Sequence, residues 1–221
     1  VTPDAAADPE GPDGDERVWF AGTEGWSTAK VAGLVLAVAL VAVMMTAVVV
    51  DRRSGQAADS VDVGFLQDMV HHHEQAIQLG LIGADTTTDH TVRHFAIETL
   101  VSQQWELGYM TALLEEWGHG TGDLDRDAMA WMGMPTELDR MPGMIPEERM
   151  RAFRDLTGPA ADREFLRLMT EHHEGGLHMA ADAAERASDP RVRDLAARMA
   201  DKQRKEIVEY TGRARQLGFD L

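Results

Sequence analysis

The sequence predicts an all-α protein: a four-helix bundle made of two duplicated helical hairpins, preceded by one transmembrane helix. Three observations predict it. Residues 62–118 and 162–218 align without a gap and share 16 identities in 57 positions, where unrelated chains of ordinary composition share roughly one residue in sixteen. Within each copy the apolar residues keep a helical period instead of a strand's alternation. Residues 31–50 carry no charge at all, a run that matches the ~20 residues a helix needs to cross hydrocarbon.

The elements follow in order. Residues 1–30 hold seven acidic residues against Arg17 and Lys30. Their Asp-, Pro-, Gly- and Ala-rich start has almost no apolar residues and no period, so it reads as an acidic disordered tail. Residues 31–50 read as the membrane span, with Trp26 at interfacial depth on one side and Arg52-Arg53 on the other. A cleaved signal peptide is the main alternative, but the apolar run is long and no small-x-small site follows at once. A buried core helix would show a polar face. The flanking charges tie and leave the orientation undecided. Residues 51–60 form a polar linker.

The bundle occupies 61–221. Positions 62, 65, 66, 69, 72 and 73 mark one face of the first helix of its repeat, and 92, 96, 103, 106 and 110 keep a similar phase on the second. Asp89 and Asp189 stand at N-cap positions, with Pro190 in the first turn, where its missing N–H matters least. Gly118 and Gly218 stand where a C′ glycine ends a helix. These signals set helices near 60–83, 89–117, 160–187 and 189–217. Two hairpins, each with one apolar stripe, bury it best against each other. The connector, 119–159, is rich in Gly, Pro and Met, with a short helix expected over Glu147–Leu156.

Composition removes several function classes. The formal charge of −17 repels polyphosphate and argues against nucleic-acid binding. The chain has no cysteine, which excludes disulfides, thiolate zinc sites and iron–sulfur clusters. No G-x-S-x-G, phosphate-binding glycine loop or Cys–His pair is present, so nucleophilic and nucleotide chemistry have no support.

The chemistry concentrates in the repeats. Phe65-Leu66-x-x-Met69-x-x-His72-His73-Glu74 returns as Phe165-Leu166-x-x-Met169-x-x-His172-His173-Glu174, and Gln103-x-x-Glu106 returns as Gln203-x-x-Glu206. The histidines share the apolar stripe, so at least one of each pair points inward. Glu106 and Glu206 share the inward phase of the partner helices. Buried polar groups must be paired. One reading is therefore a closed His–Glu/Gln network that only fixes packing; the other is metal ligation through imidazole, carboxylate and thioether. Met129, Met132, Met134, Met141 and Met144 crowd a segment too broken by Gly and Pro to be a long helix. Thioethers select Cu(I) over hard ions. Met169 and Met179 flank His172-His173, whereas Leu79 replaces the counterpart of Met179, so the second repeat is expected to be the richer in soft ligands. His90 and His94 have i, i+4 spacing but read as a solvated helix start, and His71 as exposed.

The assembled residues resemble the family known as domain of unknown function 305. The resemblance covers about residues 60–218 and rests on Phe165-Leu166-x-x-Met169-x-x-His172-His173-Glu174-Gly175, on Met141-Pro142-Gly143-Met144, and on Gln103, Glu106, Trp117 and Gly118. It implies a ferritin-like four-helix bundle, a secreted or membrane-attached bacterial protein, and copper binding through Met and His. Carried onto this chain it implicates His72, His73, His172, His173, Met169, Met179 and the connector methionines. Leu79 and Gly176 depart from the methionine and alanine usual there.

The expected function is thus a single-pass, membrane-anchored, extracytoplasmic metal-binding protein that sequesters or relays copper, Cu(I) first, without being an enzyme. Other transition metals remain open. The expected ligands are His72, His73, His172, His173, Met69, Met169, Met179, Glu106, Glu206, Met132, Met134, Met141 and Met144. Two rivals stand beside it: a structural or partner-binding bundle, and a ferritin-type di-metal oxidoreductase. The latter takes a Glu from each of two helices and a Glu-x-x-His from each of the others, a motif missing at the repeat positions here.

Overall fold

The computed structural model describes residues 27–53, 57–58, 60–122 and 126–221, without the side chains of 48–53. These residues are helical and contain no strand, only an isolated antiparallel bridge between Ala128 and Thr136. The α-helices are α1 (Thr28–Arg53), α2 (Val61–Thr86), α3 (His90–Glu116), α4 (Glu147–Arg154), α5 (Pro159–Arg186) and α6 (Pro190–Gln216), with two 3₁₀ turns, Ala130–Met132 and Leu138–Arg140, in the connector. The chain divides into one unit ending at Val48 and another from Val49 to Leu221.

In the first unit α1 contains a stretch, Thr28–Ala47, long and apolar enough to cross a membrane, with mean hydropathy 2.2. Its large apolar side chains, among them Val35, Leu36, Val43 and Met44, are exposed. The expected tail lies outside the described residues up to position 26. Its last residues, Thr28–Lys30, open α1, and the expected linker starts late because Asp51–Arg53 continue that helix.

In the second unit the helix ends follow local chemistry. The Ser60 hydroxyl accepts the Val63 N–H at 3.2 Å, the Asp89 carboxylate accepts those of Thr91 and Val92 at 3.1 Å, and Asp189 accepts that of Arg191 at 2.7 Å. Each satisfies an N–H that the helix itself leaves unpaired. Left-handed Gly118 and Gly218 end α3 and α6, and the next residue's N–H turns back to Leu114 and Ala214 respectively. α2 runs one turn beyond the expected end, to Thr86, and the short connector helix stops at Arg154.

α2 packs on α3, α5 packs on α6, and α2 meets α5, running antiparallel to it by the pairing of their ends in two apolar clusters. Phe65, Leu66 and Met69 of α2 share an apolar cluster with Met179, Ala180 and Ala183 of α5. At the other end Phe165, Leu166 and Met169 of α5 share a cluster with Ala76 and Leu79 of α2. Burying each large apolar side chain contributes about 1.5–3 kcal/mol. On both helices the histidines fall between the two clusters.

Two buried carboxylates tie the halves together. Asp62 accepts the backbone N–H groups of Ser188 and Asp189 at 2.9 and 2.7 Å, at the start of α6. Asp162 accepts those of Thr88 and Asp89 at 2.7 and 3.1 Å, at the start of α3.

Candidate metal centre

The layer between the clusters is a set of four imidazoles. His72, His73, His172 and His173 are all fully buried. The rings of His72 and His172 lie 3.8 Å apart between centroids, inclined by 38°. His172 Nε2 lies 3.1 Å from the His72 carbonyl oxygen, placed to donate to it. The other two rings turn outward to the carboxylates, His73 Nε2 to Glu106 Oε2 at 2.9 Å and His173 Nε2 to Glu206 Oε2 at 2.8 Å.

The remaining oxygens of those carboxylates face one ammonium group. Lys202 Nζ lies 4.0 Å from Glu106 Oε1 and 3.8 Å from Glu206 Oε1. Burial opposes ionisation of Glu106, but the hydrogen bond and charge of His73, helped by Lys202 and His173, hold it below the usual glutamate range. His72 and His172 are held far below the usual histidine range, first by burial and then by the neighbouring imidazoles. Both rings are therefore neutral, the state a metal ligand requires.

Nδ1 of His73, His172 and His173 and one nitrogen of His72 have no hydrogen-bond partner, while the Pro142 carbonyl approaches the His72 ring. The buried Oε1 atoms of Gln103 and Gln203 lack one too. Among the described residues no three His, Asp or Glu side chains converge closely enough to hold a metal as they stand.

The connector closes one side of the layer. Gly143 has φ +86°, and a Cβ there would stand 2.5 Å from the His172 carbonyl oxygen and 2.9 Å from His72 Nε2. A Cβ on Gly175 would stand 2.0 Å from the Pro142 carbonyl oxygen. Both positions thus need glycine for the Met141–Met144 segment to lie on α5. Gln75 fixes the next residue, accepting the Ile145 N–H at 2.6 Å and donating to its carbonyl at 2.9 Å. Nearer its start, the connector is pinned by fully buried Asp68, which accepts from Met129 N at 2.8 Å, from Trp131 Nε1 at 2.7 Å and from Arg126.

The methionines divide. Met69, Met129, Met141 and Met179 are buried in one apolar cluster, with Met132 and Met144 packed against it. Met169 lies in the other cluster, beside Ile145 and Met150 of the connector, so Met169 and Met179 do not share one apolar cluster. Ten helical residues separate the two along α5 by about 15 Å. Met134 is 47% exposed and stands apart from the layer. His71 is partly exposed, its Nδ1 3.5 Å from Glu74, and His94 pairs with Glu98 at 3.4 Å on the surface.

Reading by spacing passed over Lys202, Gln75, Asp68 and the capping role of Asp62 and Asp162. Only the last two carried a signal, their recurrence at the same place in both repeats.

This fold and layer define a class: an all-helical protein with neutral histidines buried where two helix pairs meet. A family profile described as Domain of unknown function (DUF305) matches residues 62–212, and the chain belongs to that family. No curated protein matches the chain. Solved structures do. A DUF305 protein of Streptomyces coelicolor, described as secreted, is 36% identical, with TM-score 0.70 over 74% of this chain and 98% of that one. A DUF305 fragment from Deinococcus radiodurans is 32% identical, with TM-score 0.60 over 72% of this chain and 95% of that one. CopM in its Cu(II)-bound form is 18% identical, with TM-score 0.57 over 71% of this chain and 97% of that one, and is also solved in Cu(I)- and silver-bound forms. At that identity the likeness to CopM is one of fold.

Proposed function

We propose that this protein binds a soft metal ion, Cu(I) first, at the buried histidine layer and sequesters or relays it. The observation that carries the reading is the set of unpartnered ring nitrogens in the buried layer, with His72 and His172 held neutral. Leaving a buried polar group unmade costs about 1–3 kcal/mol, so a layer with so many is explained by a ligand that uses them. Cu(I) takes imidazole and thioether donors and tolerates low coordination numbers, so it does not need three converging His, Asp or Glu groups. His72 and His172 would be the first ligands, with His73 and His173 beside them and the buried Met69, Met141, Met169 and Met179 as candidate thioethers. CopM, which shares the fold, is known in Cu(I)-, Cu(II)- and silver-bound forms.

In this reading residues 61–221 are a ferritin-like four-helix bundle of two duplicated hairpins, repeats 62–118 and 162–218 joined by connector 119–159. The apolar residues 31–50 anchor it to the cell membrane with the bundle on the extracytoplasmic side. The likeness to a relative described as secreted supports that side, as does a cysteine-free, methionine-rich composition suited to oxidising surroundings.

A second reading, a purely structural network, is favoured by the closed His73–Glu106 and His173–Glu206 bonds. A ferritin-type di-metal oxidoreductase would need Glu106 and Glu206 as ligands, and both are engaged by His73, His173 and Lys202.

The test is anaerobic Cu(I) competition against a chelator, with the full chain in non-ionic detergent, for wild type and the H72A/H172A variant. The variant should bind at least about tenfold more weakly, a loss of ~1.4 kcal/mol. A wild-type chain that takes no Cu(I), or a variant that binds equally well while losing stability, hands the site to the structural reading.

A further inference from the structure

The carboxylate edge of the layer breaks the symmetry of the repeats. Glu106 and Glu206 are the same position of the two copies, each bound through Oε2 to its own histidine. Their Oε1 atoms converge on one place, and that place holds an ammonium group from a single repeat: Lys202 has Ser102 as its counterpart. Lys202 is about one-third exposed, and the two carboxylates only 11% and 12%. Two nearly buried carboxylates converging on one spot repel unless a cation neutralises them. Here the chain supplies the cation itself.

We infer that Lys202 is a specificity-determining residue, an internal counter-cation that fills the place a hard divalent ion would take between Glu106 and Glu206 and so keeps such ions off the layer. The two Oε1 atoms are oxygen donors of the kind that, completed by water, suit a hard divalent cation. An ammonium group at 3.8–4.0 Å from those oxygens repels any arriving cation and occupies its volume. The neutral His72 and His172, which have no carboxylate partner, stay open to a soft ion that needs no charge compensation. The inference rests on the proposed reading only for what the remaining histidines bind; the exclusion itself stands on the Lys202 geometry.

The probe is Co(II), whose visible absorption reports inner-sphere binding, titrated into the full chain in non-ionic detergent. Wild type is compared with Lys202→Ser, which copies the other repeat, and with Lys202→Met, which keeps the apolar stem if the shorter side chain fails to fold. Removing one positive charge about 4 Å from the ion should tighten Co(II) binding at least about tenfold, with one equivalent bound per chain. Lys202→Arg should behave as wild type, and adding Glu106→Gln to Lys202→Ser should abolish the gain. Folded Ser and Met variants that bind Co(II) no more tightly than wild type overturn the inference, as does a gain that survives Glu106→Gln. Cu(I) affinity measured on the same samples reports separately on the proposed function, since its absence in wild type would leave the Co(II) comparison intact.

Discussion

His72 and His172, one hundred residues apart in sequence, face each other at 3.8 Å between ring centroids, and the Nε2 of the second lies within hydrogen-bonding distance of the main-chain carbonyl of the first. A proton on either ring is opposed by burial and by three other imidazoles, so the pair is stable only while neutral.

Stability should therefore depend on pH. Both histidines have folded pKa values below the ordinary 6.5, so below that pH the unfolded chain binds protons that the folded chain does not. Stability is fully present above about pH 6.5 and falls with decreasing pH, by up to ~1.4 kcal/mol per pH unit for each ring, until the folded rings protonate. Urea unfolding of the metal-free chain between about pH 7.5 and 5.5 should show this slope. H72N/H172N should flatten it, and a slope that persists in that variant assigns it to other groups.

The two rings are not equivalent as ligands. His172 Nε2 is placed to donate to the His72 carbonyl at 3.1 Å, whereas the His72 ring approaches the Pro142 carbonyl without a well-formed hydrogen bond. H72A alone should weaken Cu(I) binding more than H172A alone. The thioether count predicts the opposite order, favouring the second repeat, and competition titrations of the two single variants decide between them.

Asp62 is fully buried and carries two main-chain N–H groups of the other repeat. Replacing it with Ala leaves both donors without a partner and removes charge-assisted bonds, a loss of about 3 kcal/mol. D62A and D162A should lower the urea midpoint by comparable amounts. A loss under about 1 kcal/mol would mean that the α6 start is satisfied without Asp62.

G175A should lift the Met141–Met144 segment from α5, because the new methyl group meets the Pro142 carbonyl oxygen at 2.0 Å. Faster proteolytic cleavage in the connector and a destabilisation of about 1–3 kcal/mol are expected. Unchanged cleavage would show that the backbone absorbs the methyl group locally.

What was legible in the sequence was whatever acts over one or two turns. Asp89, Asp189, Pro190, Gly118 and Gly218 act within a few residues of themselves, and the bounds of α3 and α6 follow from them. The histidine stripe was legible because a helix repeats its face. The hydrogen bonds from Ser188 to Asp62 and from Trp131 to Asp68 span 126 and 63 residues, and no local spacing encodes such a distance. The approach of Lys202 to Glu106 depends on how α3 and α6 meet, which periodicity leaves open. The separation of Met169 from Met179 was available from helical rise alone, but nearness in sequence masks it.

Asp62 and Asp162 each hold the other repeat's second helix, so neither half supplies all of its own hydrogen bonds. In the vocabulary of oligomers this is an isologous contact, the kind two copies of one chain make across a two-fold axis. Joined by residues 119–159, the two partners face each other at a fixed effective concentration. Stability of the intact chain is then independent of protein concentration, whereas a chain cut in that connector behaves as a dimer and loses its fold on dilution.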